Sequence, residues 1–320
     1  MLKERLENLP VVFFFFILPT VFIITGLIFF PYPVSQDVEN VLLCIAFSGL
    51  FLLGFGFLYK NGKKSSQSKI LGWFLFAFYW STKPSTLYFY EGGDIFNAAL
   101  CIIGIYVLFY FAYHEWLSIR KKEFVDCLNW VAGIAFITGI IYMSIDNVFI
   151  SARNWLTETV AEQSCWVLSV FNINTVREGT LIYYKDYPLP VNIIFACTAI
   201  QSILLFVGLI LSLQKVAWKK KIISIATIVP TVYVLNLFRN AMVIYLGGEG
   251  ITSFEFAHNV IGKSGSLLAL IILVYLLFKY IPEIYDNLMC VFDLPKRKGP
   301  LEKIILRYIS TKKVDRDENR

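Results

Sequence analysis

VVFFFFILPTVFIITGLIFF, Val11 to Phe30, is an apolar run without a charged residue, and its reading decides the class of protein. A helix needs about 20 such residues to cross the hydrocarbon core of a bilayer. Pro19 is compatible with that reading, since neighbouring helices satisfy the carbonyl it frees. Lys3 and Arg5 precede the run, but it is too long for a cleaved signal peptide and no small-residue cleavage site follows, so it reads as a retained helix.

The pattern recurs. Val38 to Tyr59, Ile70 to Ser81, Ile95 to Tyr113, Phe124 to Met143, Ile193 to Leu213, Ile222 to Leu246 and Ser264 to Ile281 bring the expected crossings to about eight. The third is the shortest, ending before Lys83 and Pro84, and needs tilt, local thinning or extension through Tyr90. With 57% hydrophobic, 17% aromatic and only 16% charged residues, the chain is an integral membrane protein of the all-α class, a polytopic transmembrane helical bundle.

Basic residues accumulate in short cytoplasmic loops. Lys3 and Arg5; Lys60, Lys63, Lys64 and Lys69; Arg120, Lys121 and Lys122; Lys215, Lys219, Lys220 and Lys221; and the tail after Lys279 all occupy alternate loops, which places both termini inside. The opposite loops carry only Lys83, Arg153, Arg177, Lys185 and Lys263. The net charge of +6 therefore reflects topology, and no nucleic-acid module accompanies it.

No repeat, low-complexity tract or linker divides the chain, so residues 1–292 read as one membrane domain and 293–320 as a basic cytoplasmic tail. Asp146 to Asn174 sets Trp155, Val160, Trp166 and Leu168 among Arg153, Glu158 and Glu162, which suits a helix at the membrane interface. Thr175 to Pro190 has β-formers around Glu178 and Gly179 and is expected to form an extended or hairpin-like cap outside the membrane, between the fifth and sixth spans.

Three costly residues then fall in the last spans, at one membrane face. Cys197, in FACTAIQS, is placed in the first turns of the sixth span, where a helix N-terminus favours thiolate. Thr198 and Gln201 are candidate oxyanion donors; Cys44, Cys101, Cys127 and Cys290 read as small apolar packing residues. Cys165 is the other outward cysteine, so a Cys165–Cys197 disulfide is the structural alternative to catalysis. Arg239 is expensive in an apolar helix unless it faces protein, water or a partner. Asn236 and Asn240, at offsets of three and one, share its face, which must point into the bundle. Its roles would be to stabilise an oxyanion, hold a carboxylate or phosphate, or favour a thiolate; the alternatives are snorkelling or a pair with Glu249 or Glu255. His258, in EFAHNVIGKSG, starts the last span and has the proton affinity to serve a thiol or a leaving amine, or simply to cap the helix. His114, at the opposite end of the fourth span, is given no catalytic role. The cysteines and histidines form no zinc pattern, and no cofactor or metal is implied.

ACTAIQSI (Ala196 to Ile203), NLFRNAMVI (Asn236 to Ile244) and HNVIG (His258 to Gly262), in that order, resemble the exosortase and archaeosortase family, most closely its archaeosortase subgroup. The motif-bearing part is 190–281. The resemblance implies a membrane cysteine protease or transpeptidase with Cys197, Arg239 and His258 as catalytic residues, the third position being arginine in some members. It also implies action at the outer face of the cell membrane on surface proteins that end in a short motif, a transmembrane helix and a basic tail. Cleavage would leave a thioester that water or a lipid amine or hydroxyl resolves. One departure is Ala199, which stands where the family usually carries glycine.

The rival reading is a transporter that binds an anion or relays protons through Arg239 and His258. Against it, broken-helix pairs and symmetric halves are missing from the sequence, and the polar groups gather at one face rather than the midplane. A lipid-phosphate transferase would need acidic metal-binding clusters, whereas Glu91, Asp94 and Asp146 are isolated.

Overall fold

The computed structural model describes residues 10–59, 62–90, 95–184 and 190–308. Lys3, Arg5, Lys60, Glu91, Asp94, Lys185, Pro188 and the tail beyond residue 308 lie outside the described residues, as does the last part of the expected cap. The molecule is a helical membrane protein. Chain contacts divide it into two compact units, 1–136 with 287–320, and 137–286.

The first unit contains α1 (Pro10–Phe29), α2 (Gln36–Leu58), α3 (Lys63–Ser81), α4 (Pro84–Tyr90), α5 (Ile95–Lys121) and the start of α6 (Asp126–Asn147). α2 and α3 pack backbone to backbone: a Cβ on Gly72 would stand 2.8 Å from the carbonyl oxygen of Gly49. Without a hydrophobic drive between helices in lipid, such small-residue contact supplies the packing. α3 ends at Ser81 and α4 starts afresh at Pro84, so the expected extension through Tyr90 is a separate short helix.

Two basic residues assigned to loops are buried inside helices. Lys69 lies two turns into α3, ion-paired with Glu115 at 2.7 Å and donating to Asn129 Oδ1 at 3.4 Å. It is placed there because α3 begins at Lys63, seven residues before the apolar run. In the second unit, Lys221 donates to the carbonyls of Leu211 and Leu213, at a helix end where a cation is favourable.

The first unit is completed by the C-terminal segment. Glu302 accepts from Tyr113 at 2.9 Å and lies 3.3 Å from His114 Nε2, while Arg297 donates to the His114 carbonyl at 3.1 Å. Cys127 and Cys290, expected to be separate packing residues, form a disulfide with Cα atoms 5.9 Å apart. The α6 start and the chain near residue 290 therefore meet, a proximity that a separation of 163 residues does not announce.

The second unit holds the rest of α6, α7 (Ile150–Val170), the strands β1 (Thr175–Glu178), β2 (Leu181–Tyr184) and β3 (Val191–Asn192), then α8 (Ile200–Leu211), α9 (Trp218–Gly248) and α10 (Phe254–Tyr280). α11 (Pro282–Phe292) leads to α12 (300–308). β1 and β2 form an antiparallel hairpin pairing Glu178 with Leu181, and β3 pairs antiparallel with β2. The two-residue turn has Gly179 at φ 59°, the first central position where hairpin turns demand positive φ. Tyr184, on β2, is buried and donates to Glu249 at the end of α9.

Along α7, Val160, Ala161, Ser164, Val167 and Leu168 are buried, while Trp155 and Trp166, three turns apart on the other face, are exposed. That two-faced pattern is the one expected of an interfacial helix. Among the described residues, six helices are long and apolar enough to cross a membrane: α1, α2, α5, α6, α9 and α10. The expected third and sixth spans fall on α3, which carries Lys63, Lys64 and Lys69, and on α8, which has 12 residues and is roughly 18 Å long. The sixth run starts in extended chain rather than helix, because β3 and a 3-10 turn take up Val191 to Thr198.

Candidate functional site

Cys197 is in that 3-10 turn, Phe195–Thr198, immediately before α8 instead of inside it. The turn cannot run straight into the helix because Ala199 adopts φ 59°, ψ 6°, the left-handed region. Cys197 N–H donates to Ile194 O at 2.8 Å, and the Thr198 hydroxyl donates to Phe195 O at 2.7 Å. Thr198 is thus engaged in closing the turn that carries the thiol. Gln201 points elsewhere, its exposed amide donating to the Tyr142 hydroxyl at 3.0 Å.

The carbonyl of Cys197 is gripped from α9. Asn236 Nδ2 donates to it at 2.7 Å and Asn240 Nδ2 at 3.1 Å. These residues are one helical turn apart, so both amides reach the same atom. The Oδ1 of Asn240 accepts from Arg239 Nη1 at 3.2 Å. Cysteine, both asparagines and arginine are therefore one hydrogen-bonded chain. The signal for this was the three-and-four spacing; what it did not reveal is that the asparagines hold the backbone of Cys197.

Arg239 has no carboxylate partner among the described residues, and its Nε is buried without an acceptor. Glu249, one expected partner, accepts from Tyr184 instead. Gly262 lies against the guanidinium: a Cβ there would be 3.2 Å from Nε and 3.1 Å from Val243. The sequence gave no reason to single out Gly262, since close approach leaves no periodic trace.

His258 sits in a π-helical stretch of α10, Ala257–Gly262, half-buried and stacked on Phe254 with ring centroids 6.1 Å apart. Arg239 and Lys263 are the cations that bear on its ring electrostatically. No hydrogen bond joins His258 to Cys197 among the described residues. α10 is thus brought to α9 at Gly262 and Arg239, with His258 one π-turn before that contact.

Cys165 and Cys197 are both free thiols, so the alternative disulfide is not formed. Cys165 packs against the cluster that contains Cys197. Burial pushes its thiol up, with Thr175 and Arg177 opposing, which makes it the weaker nucleophile at neutral pH.

Beside this chain of residues lies a cavity of about 710 Å³. Ala199, Ser202, Asn236, Arg239, Gly262 and Ser266 line it together with apolar side chains of α9 and α10, and neither Cys197 nor His258 is among its lining residues. Among the described residues, no cluster of His, Cys, Asp or Glu could hold a metal ion.

The pattern described for transmembrane exosortases matches residues 34–277, which take in both units and all the residues above. This chain belongs to the exosortase/archaeosortase family. It is 23% identical over 269 residues to archaeosortase A of Natronomonas pharaonis, covering 74% of this chain and 82% of that protein. No solved structure matches it. The family is one of membrane transpeptidases for C-terminal sorting signals, with cysteine-type peptidase chemistry.

Proposed function

We propose that the chain is a thiol transpeptidase of the cell membrane that cleaves surface proteins near a C-terminal sorting motif at the outer face. Those substrates would carry the motif, a transmembrane helix and a basic tail. The observation that carries this reading is the double hydrogen bond from Asn236 and Asn240 to the Cys197 carbonyl, with Arg239 linked through Asn240. It fixes a buried thiol beside an arginine that has no carboxylate of its own.

In this mechanism the Cys197 thiolate adds to the scissile carbonyl, forming an S–C bond and an oxyanion. Arg239 stabilises that charge as it develops, the kind of fixed electrostatic assistance worth about 10²–10³ in rate per donor in other acyl-transfer enzymes. Collapse breaks the C–N bond, and the leaving amine takes a proton that His258 delivers. Water, or a lipid amine or hydroxyl, then attacks the thioester and releases the thiol. The α8 helix would form a wall for the substrate helix. Outward placement is supported by the basic residues at alternate helix ends, Lys63 and Lys64, Arg120 to Lys122, Lys215 to Lys220 and Lys279.

The test is processing of a C-terminally tagged candidate substrate in cells expressing wild type, Cys197→Ala or Cys197→Ser at matched levels. The precursor should shorten only with wild type. Continued shortening without the thiol would make Cys197 a packing residue.

A further inference from the structure

We propose that the cavity beside Arg239 is a binding site for one membrane phospholipid with an anionic headgroup, its phosphate at the guanidinium and a chain lying between α9 and α10. The argument begins with charge. Arg239 lines the cavity, no acidic residue does, and no carboxylate pairs with it among the described residues. A cation left uncompensated in a membrane helix is costly, and a phosphate is the partner its planar fork fits best.

Depth agrees. α9 has 31 residues and spans roughly 46 Å, about 16 Å more than the hydrocarbon core, so centred in the bilayer it projects some 8 Å at each end. Arg239 precedes the last residue, Gly248, by nine positions, roughly 13 Å, which puts it about 5 Å inside the core boundary. A headgroup phosphate is within reach of a long side chain there.

The lining is graded along its length. Ser202, Asn236, Arg239 and Ser266 gather at one level, whereas Val232 and Leu273 close the deeper end. Leu235 and Phe238, on the cavity wall, are exposed surfaces of a membrane span, so the cavity opens towards lipid. Gly265 leaves room for the chain: a Cβ there would meet nothing within 4 Å. Polar head, apolar tail and lateral opening together describe an amphiphile.

The proposal is independent of the peptidase reading, because lipid retention is measured without catalysis. Purified full-length protein is reconstituted in nanodiscs of equimolar phosphatidylglycerol and phosphatidylcholine, and the lipid retained on release is identified by native mass spectrometry. Wild type and Cys197→Ala should each keep one phosphatidylglycerol, enriched roughly tenfold over phosphatidylcholine, as one charge-assisted contact warrants. Arg239→Gln should bring that enrichment to parity. Gly265→Phe should lose the lipid while melting as wild type does, since the ring enters open space. Equal retention of the two lipids by wild type, or undiminished phosphatidylglycerol on folded Gly265→Phe, overturns the proposal. So does a photocrosslinker at position 265 that captures polypeptide and no lipid in native membranes.

Discussion

Asn236 and Cys197, 39 positions apart in the chain, are joined by a 2.7 Å hydrogen bond from side-chain amide to main-chain carbonyl. The bond restrains the backbone that carries the thiol, so its loss should be felt in rate more than in stability. Asn236→Ala leaves Asn240 still donating to the same oxygen and should cost about 1 kcal/mol of stability. Asn240→Ala removes that donor and also the acceptor for Arg239, and should lower processing further, by about tenfold relative to Asn236→Ala. Thermal melting in detergent and immunoblot processing rates, measured on the same preparations, separate the two effects.

Gly262 and Gly265 offer a matched pair. A Cβ at 262 would crowd Arg239 Nε at 3.2 Å, whereas one at 265 meets nothing within 4 Å. Gly262→Ala should therefore impair processing several-fold by displacing the guanidinium, and Gly265→Ala should leave it within twofold of wild type, misplacement being costly where positioning carries the catalysis. Equal behaviour of the two variants in the tagged-substrate assay would remove Gly262 from the positioning of Arg239.

Ala199 should be improvable. An L residue held in the left-handed region costs about 1–2 kcal/mol, which glycine avoids at the expense of some chain entropy. Ala199→Gly should melt at the same temperature as wild type or slightly higher, and Ala199→Val should melt several degrees lower. The family's usual glycine at this position gains a physical reason: the turn between Cys197 and α8 requires φ 59°.

Lys69 and Glu115 are both nearly inaccessible, at 2% and 1% side-chain exposure. Lys69→Met alone strands a buried carboxylate and should destabilise by about 3–5 kcal/mol, whereas the double variant with Glu115→Leu should recover most of the loss. Melting curves of the two single variants and the double one supply the cycle.

Glu302 links the C-terminal segment to pH. Burial works against its ionisation, but hydrogen bonds from His114, its own backbone and Tyr113 outweigh burial and hold the carboxyl below its usual range. A depressed folded-state value means the stabilisation is complete above the unfolded carboxyl range, near 4.5, and fades as pH falls through the lower folded value. Glu302→Gln should therefore lower the melting temperature at pH 7 and converge on wild type in strong acid.

Helix identity and the identity of the reactive residues were legible because apolar run length and isolated polar groups are local signals. Asn236, Arg239 and Asn240 were placed on one face by spacing alone. What was not legible depends on contacts distant in sequence: Lys69 reads as a loop charge until Glu115 is seen beside it, and Cys127 as packing until Cys290 meets it. The sixth apolar run misled for a different reason. Hydrophobicity registers burial equally in strand, 3-10 turn and helix, so it could not show that Cys197 precedes α8.

The π-helical stretch from Ala257 to Gly262 has an ancestry as well as a geometry. A π-turn holds one residue more than an α-turn and is what a single-codon insertion into an older helix leaves behind. Such an insertion would have rotated His258 by roughly 100° about the helix axis relative to Gly262 without moving the span. Excising Asn259 should restore a plain helix and turn the imidazole away, so the line of descent could be run backwards at one position.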